Sequence, residues 1–116
     1  MRAAVAVSSL ALLAAGAAHA TTVRSGLYGA VTRGPISPVC VAEQPCDEPA
    51  AHAVLVFSRD GRVVARTTAR ADGTYRVRLA AGYYAVRSAH RIEPAKVRVR
   101  ASRMTHVDFS IDTGIR

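Results

Sequence analysis

With 116 residues the chain has room for one domain, which excludes a multidomain enzyme, and after position 20 no apolar run is long enough to span a membrane as a helix. Its 16 Lys and Arg against 8 Asp and Glu give a formal net charge of +8, a balance that favours anionic partners such as envelope polymers, lipid head groups or nucleic acid. Beyond position 20 every cation but Lys96 is arginine, a skew that a coding preference and selection for bidentate anion contacts explain equally well.

Residues 1–20 read as an export signal. Met1-Arg2 is a positive start, an apolar stretch rich in alanine and leucine follows, and Ala18-His19-Ala20 has the small-x-small pattern that a signal peptidase cuts after. No cysteine stands at the cut to take a lipid, so release from the cell or loose retention at its envelope is expected. The remaining 96 of the 116 residues keep a net charge of +7. A domain of that size buries about 60% of the surface its unfolded chain exposes.

Alternation with period two dominates these residues, and no stretch sustains a helical period. A first strand is expected at 26–32, with Leu27, Gly29 and Val31 on one face. The segment 34–49 holds four of the five prolines, whose missing backbone donors and fixed φ angles predict a long loop. Cys40 and Cys46 lie within it, and an oxidising compartment with this local spacing predicts a disulfide worth about 2 kcal/mol. A zinc site would take closer spacing and a second ligand pair. Glu43, Asp47 and Glu48 beside the cysteines are oxygen donors suited to calcium, but their spacing fits no cage and a solvated acidic loop is expected.

Residues 52–58 carry the apolar run Ala-Val-Leu-Val-Phe and predict a strand covered on both faces. Asp60-Gly61 is a hairpin signal, with 62–69 as the returning strand. Asp72-Gly73 opens the cleanest alternation, in which Tyr75, Val77 and Leu79 oppose Arg76 and Arg78. Gly82 leads into 83–88, with Tyr84 and Val86 inward. In 96–101, Val97 and Val99 oppose Lys96, Arg98 and Arg100. A last strand at 104–111 points Met104, Val107, Phe109 and Ile111 inward if the pleat is irregular near Thr105, and 112–116 form a tail. Seven short strands, each with one apolar face, predict an all-β sandwich of two antiparallel sheets.

The order Gly29-Ala-Val-Thr32, Pro49, Val54-Leu-Val56, Asp60-Gly-Arg-Val-Val-Ala65, Ala71-Asp-Gly-Thr-Tyr-Arg-Val77 and Ala81-Gly-Tyr-Tyr-Ala-Val86 resembles a carboxypeptidase regulatory-like domain. The likeness covers most of 26–111 and implies a prealbumin-like, seven-stranded Greek-key β-sandwich related to transthyretin. Domains of this kind occur as accessory modules and as small stand-alone exported proteins, and this chain looks like the latter. With 21–111 as the sandwich, no peptidase domain accompanies it, so the resemblance implies no carboxypeptidase activity.

Catalytic groups are sparse. His52, His90 and His106 match no ligand pattern, and His106, alternating with inward Val107, is expected on the solvated face. Transthyretin-like hydrolases characteristically end in Tyr-Arg-Gly-Ser, whereas this chain ends in Thr-Gly-Ile-Arg. Adjacent Tyr83 and Tyr84 point to opposite faces and cannot jointly ligate one metal. No Gly-x-Ser-x-Gly nucleophile motif occurs. No catalytic residue, metal or cofactor is therefore expected.

The feature of most weight is a set of outward cations: Arg76, Arg78, Arg87, Lys96, Arg98 and Arg100, with Tyr83 among them to stack on a sugar or head group. If their strands share a sheet they form one basic face, about 4.8 Å per strand across. The expectation is a secreted, non-catalytic module that contacts an anionic glycopolymer or an acidic protein at the cell envelope or outside it. Nucleic acid is not expected, because the chain is exported and lacks a stacking platform. Two other classes are a transthyretin-like hydrolase, which predicts a tetramer with His and Arg converging on a channel, and a protein-binding inhibitor using the disulfide-pinned loop 35–49.

Overall fold

Alternating apolar side chains bury themselves only when two pleated layers meet, and this is the arrangement that the computed structural model gives. It describes residues 24–115, so the export signal expected at 1–20 lies outside the described residues. Ten strands form: β1 (Gly26–Gly34), β2 (Glu48–Pro49), β3 (Val54–Arg59), β4 (Arg62–Thr68), β5 (Thr74–Arg78), β6 (Gly82–Arg87), β7 (Ile92–Glu93), β8 (Lys96–Val99), β9 (Met104–His106) and β10 (Phe109–Asp112). The described residues contain no helix. One sheet has the order β4-β3-β6-β8, and the other is a six-stranded sheet with the path β2-β1-β10-β7, β5 and β9 also pairing with β1.

The two sheets meet through the alternate residues that the pattern marks as apolar. Leu27 and Val31 of β1, Tyr75 of β5 and Phe109 and Ile111 of β10 face Leu55 and Phe57 of β3, Tyr84 and Val86 of β6 and Val97 and Val99 of β8, all buried. Phe109 is the junction: its ring packs at 6.4 Å against Phe57 across the interface and at 5.4 Å against Tyr75 within its own layer. The buried tyrosines keep their hydroxyls satisfied. Tyr75 donates to the Val107 carbonyl and Tyr84 to the Ala80 carbonyl, each at 2.6 Å.

The Asp60-Gly61 hairpin forms as expected. Arg59 pairs with Arg62, and both loop residues have positive φ (53° and 79°), the backbone of a two-residue turn matched to strand twist. The second Asp-Gly does something else. Asp72-Gly73 sits in a turn closed by Arg70 and Thr74, and it carries the chain from the edge strand β4 of one sheet to β5 of the other.

Several expectations need correction. The sheets are not antiparallel throughout, because β1 runs parallel to both β9 and β10. Seven runs become ten strands, since β2 and β7 are two-residue additions and the last run is cut in two. That cut falls at Val107–Asp108, not at Thr105: the Val107 amide turns to the Tyr28 carbonyl and Asp108 Oδ1 accepts from the Ala30 amide. The strand expected at 52–58 starts at Val54, because His52 has a left-handed backbone (φ 62°). It is covered on one face only, with Leu55 and Phe57 buried and Val54 44% exposed. The expected tail is partly structured: Asp112 belongs to β10, and Thr113 donates from its amide to the Gly34 carbonyl and from its hydroxyl to the Pro35 carbonyl.

Candidate anion-binding face

Strand partition decides which cations stand together. Arg76 and Arg78 lie on β5, which pairs with β1, whereas Tyr83 and Arg87 lie on β6, Lys96 and Arg98 on β8, and Arg100 just beyond it. The single seven-residue face is therefore split. Arg76 and Arg78 project from the outer surface of the six-stranded sheet, and the others from the opposite outer surface of the molecule. The reason is that the chain crosses between the sheets twice, at Asp72-Gly73 into β5 and at 79–81 back out to β6, so β5 stands on the far side from β6 and β8.

On the four-stranded sheet the remaining residues form one surface, and register fixes their order. Arg66 on β4 and Arg87 on β6 both stand opposite Val56 on β3, so two cations flank one half-buried valine. Lys96 stands opposite Ala85, and Arg98 opposite Tyr83. Arg66 escaped the sequence reading because β4 is rich in exposed residues and only its pairing with β3 aligns it with Arg87. Neighbouring cations are spaced roughly 7 Å along β8 and roughly 10 Å across two strands. These spacings match the screening length of physiological salt, about 8 Å, so the charges act as one field.

Within the strands of this sheet no carboxylate offsets that field. Strands β3, β4, β6 and β8 contain neither Asp nor Glu. Among the described residues, none of Arg66, Arg87, Lys96, Arg98, Arg100 and Arg103 is within ion-pair distance of a carboxylate. Two acidic side chains are engaged elsewhere, Glu48 with Arg33 at 2.6 Å and Asp108 with His106 at 3.0 Å, and at the β3–β4 hairpin Asp60 lines a depression with Tyr83 and Lys96 without reaching ion-pair distance of the lysine. Tyr83 stands up from the basic face with 70% of its surface exposed, the Arg98 guanidinium 5.7 Å from its ring centre. Tyr84 is turned into the core, 4% exposed, as alternation requires.

The six-stranded sheet presents a different, mixed surface. His106 lies against the Tyr28 ring at 5.1 Å, and Arg70, Arg76 and Asp108 line the same shallow trough. His106 is on the solvent-facing side, as its alternation with Val107 implies, while His52 and His90 occupy separate exposed turns. The described residues contain no group of three or more His, Cys, Asp or Glu placed to hold a metal ion. Near this surface the Thr74 hydroxyl and amide hold the Asp72 carboxyl below its usual range. Burial, with Asp108 nearby, pushes the Tyr75 phenol well above its own.

The disulfide joins Cys40 to Cys46, with 5.5 Å between their Cα atoms. It closes an exposed loop held to β1's end by the Ile36 amide donating to the Cys46 carbonyl at 2.8 Å. The loop adds nothing to the buried core. Replacing both cysteines with serine is therefore expected to cost about 2 kcal/mol or less in urea unfolding, with the far-ultraviolet spectrum unchanged. Loss of the sheet signal on reduction would show that the loop organises the fold.

No known family model, curated protein or solved structure matches this chain.

Proposed function

We propose that this protein is an exported, non-catalytic binding module of the carboxypeptidase regulatory-like type, which holds an extended anionic glycopolymer on the outer face of its four-stranded sheet. The observation that carries this reading is a sheet with an outward set of cations, none of them ion-paired among the described residues, and no carboxylate in any of its strands. A flat face with cations about 7–10 Å apart suits a polymer whose charges repeat along its length better than a small molecule, which takes a concave site. The layering β4-β3-β6-β8 against β5-β1-β10 supports a prealbumin-like Greek key. The disulfide supports an extracellular location.

Retention on a sulfated-polysaccharide column tests the proposal. Each exposed cation in contact with an anion contributes roughly 0.5–1 kcal/mol. The triple variant R66S/R87S/R98S is therefore expected to bind ten- to a hundredfold more weakly and to elute at lower salt. The variant R70S/R76S/R78S, which loses the same charge from the opposite side, should stay within about threefold of the parent. Equal losses from both variants would reduce the effect to net charge and overturn the assignment of a face.

A further inference from the structure

Arg103 follows the turn after β8, outside any alternating run, yet it lines the same trough as Arg98 and Arg100. Ser102, with φ of 64°, is in the left-handed turn that brings the chain round between β8 and β9. The trough is open, about 440 Å³, and its remaining lining is Ala81, Gly82, Val99, Ala101 and the exposed ring of Tyr83. Three arginines, charged at any physiological pH, thus border one depression whose lining holds no carboxylate, and none of the three is ion-paired among the described residues.

We infer that this trough is a subsite for the sulfate or phosphate ester of a sugar, its three terminal oxygens taken by Arg98, Arg100 and Arg103 and its ring lying on Tyr83. The inference rests on the reading of the four-stranded face as a glycopolymer surface and names the group that anchors the polymer there. Oxygen count favours the ester. A carboxylate has two oxygens and is satisfied by one bidentate arginine, whereas a sulfate or phosphate monoester presents three outward oxygens to three separate forks. The small side chains of Ala81, Gly82 and Ala101 leave room for the ring, and Arg98 beside Tyr83 biases that ring to stand up from the sheet.

The test is a nitrogen-15 NMR titration of the exported chain with N-acetylglucosamine 6-sulfate, N-acetylglucosamine 6-phosphate and glucuronate at millimolar concentration. One or both esters should shift the amides of Gly82, Tyr83, Val99, Arg100 and Arg103 together and saturably, and glucuronate should bind at least fivefold more weakly. Which ester binds tighter distinguishes a sulfated from a phosphorylated source. R103S should weaken ester binding at least fivefold while column retention falls less than threefold, and Y83A should weaken the sugar ester but not inorganic sulfate. Shifts scattered over the basic face, glucuronate equal to the esters, or R103S without effect would overturn the subsite while leaving the polymer reading intact. Failure of the parent chain to bind the column at all would overturn both.

Discussion

Replacing Phe109 with alanine is expected to lower the melting temperature by roughly 15–30 °C. The side chain is 1% exposed and touches aromatic rings from both layers, Phe57 at 6.4 Å and Tyr75 at 5.4 Å. Truncating a buried phenylalanine costs about 3–5 kcal/mol, because apolar area is lost and the cavity collapses only in part. In a domain of this size each kcal/mol moves the midpoint by about 4–8 °C. Total stability is about 5–15 kcal/mol, so the variant sits near the edge of folding. Phe109→Leu, which keeps most of the volume, supplies a folded comparison expected to fall between parent and alanine. Val64→Ala on the half-exposed outer face should change stability by less than about 0.5 kcal/mol. A drop below about 5 °C for Phe109→Ala would mean that the interior between the sheets is not what holds the fold.

A second large effect is expected at Gly73. Its φ is +86°, and a Cβ there would lie 2.7 Å from the Val31 carbonyl oxygen and 3.0 Å from Pro49 Cβ. That oxygen belongs to backbone on the central strand, and the Val31 amide in turn donates to the Gly73 carbonyl at 2.7 Å, so neither side can retreat without breaking the crossing between sheets. Gly61 is the natural control, because its φ of +79° carries the same left-handed penalty of about 1–2 kcal/mol but nothing lies within 4 Å of its Cβ position. Gly73→Ala should therefore be at least 2 kcal/mol more destabilising than Gly61→Ala, read as the difference in urea midpoints at constant slope. Equal costs would show that the β4–β5 turn relaxes freely and that only backbone conformation matters at both sites.

Much of this molecule is written in local patterns. Leu27 and Val31, Tyr75 and Leu79, and Val97 and Val99 are buried as their alternation requires, because a pleated strand sends successive side chains to opposite faces whatever its partners. The Asp60-Gly61 hairpin and the Cys40–Cys46 bridge are also short-range: one depends on left-handed φ angles, the other on a seven-residue reach. The charge asymmetry was half legible. Cations on the polar sides of β6 and β8 could be seen in the sequence, but not that Arg66 would stand in line with Arg87, nor that Arg103 would return to the end of β8.

Composition and alternation determined the class of fold, most of its core and the positive sign of its surface, while Ala50 and Ile92 joined the core from outside the alternating runs. Tertiary structure decided which strands are neighbours, and with that which cations share a face. The physical reason is that a strand's side-chain pattern encodes the direction of the core, whereas its hydrogen-bond partner is chosen by backbone groups common to every residue. The parallel pairing of β1 with β10, which joins Val31 to Phe109, and the passage of Arg76 and Arg78 to the other side are both consequences of that choice.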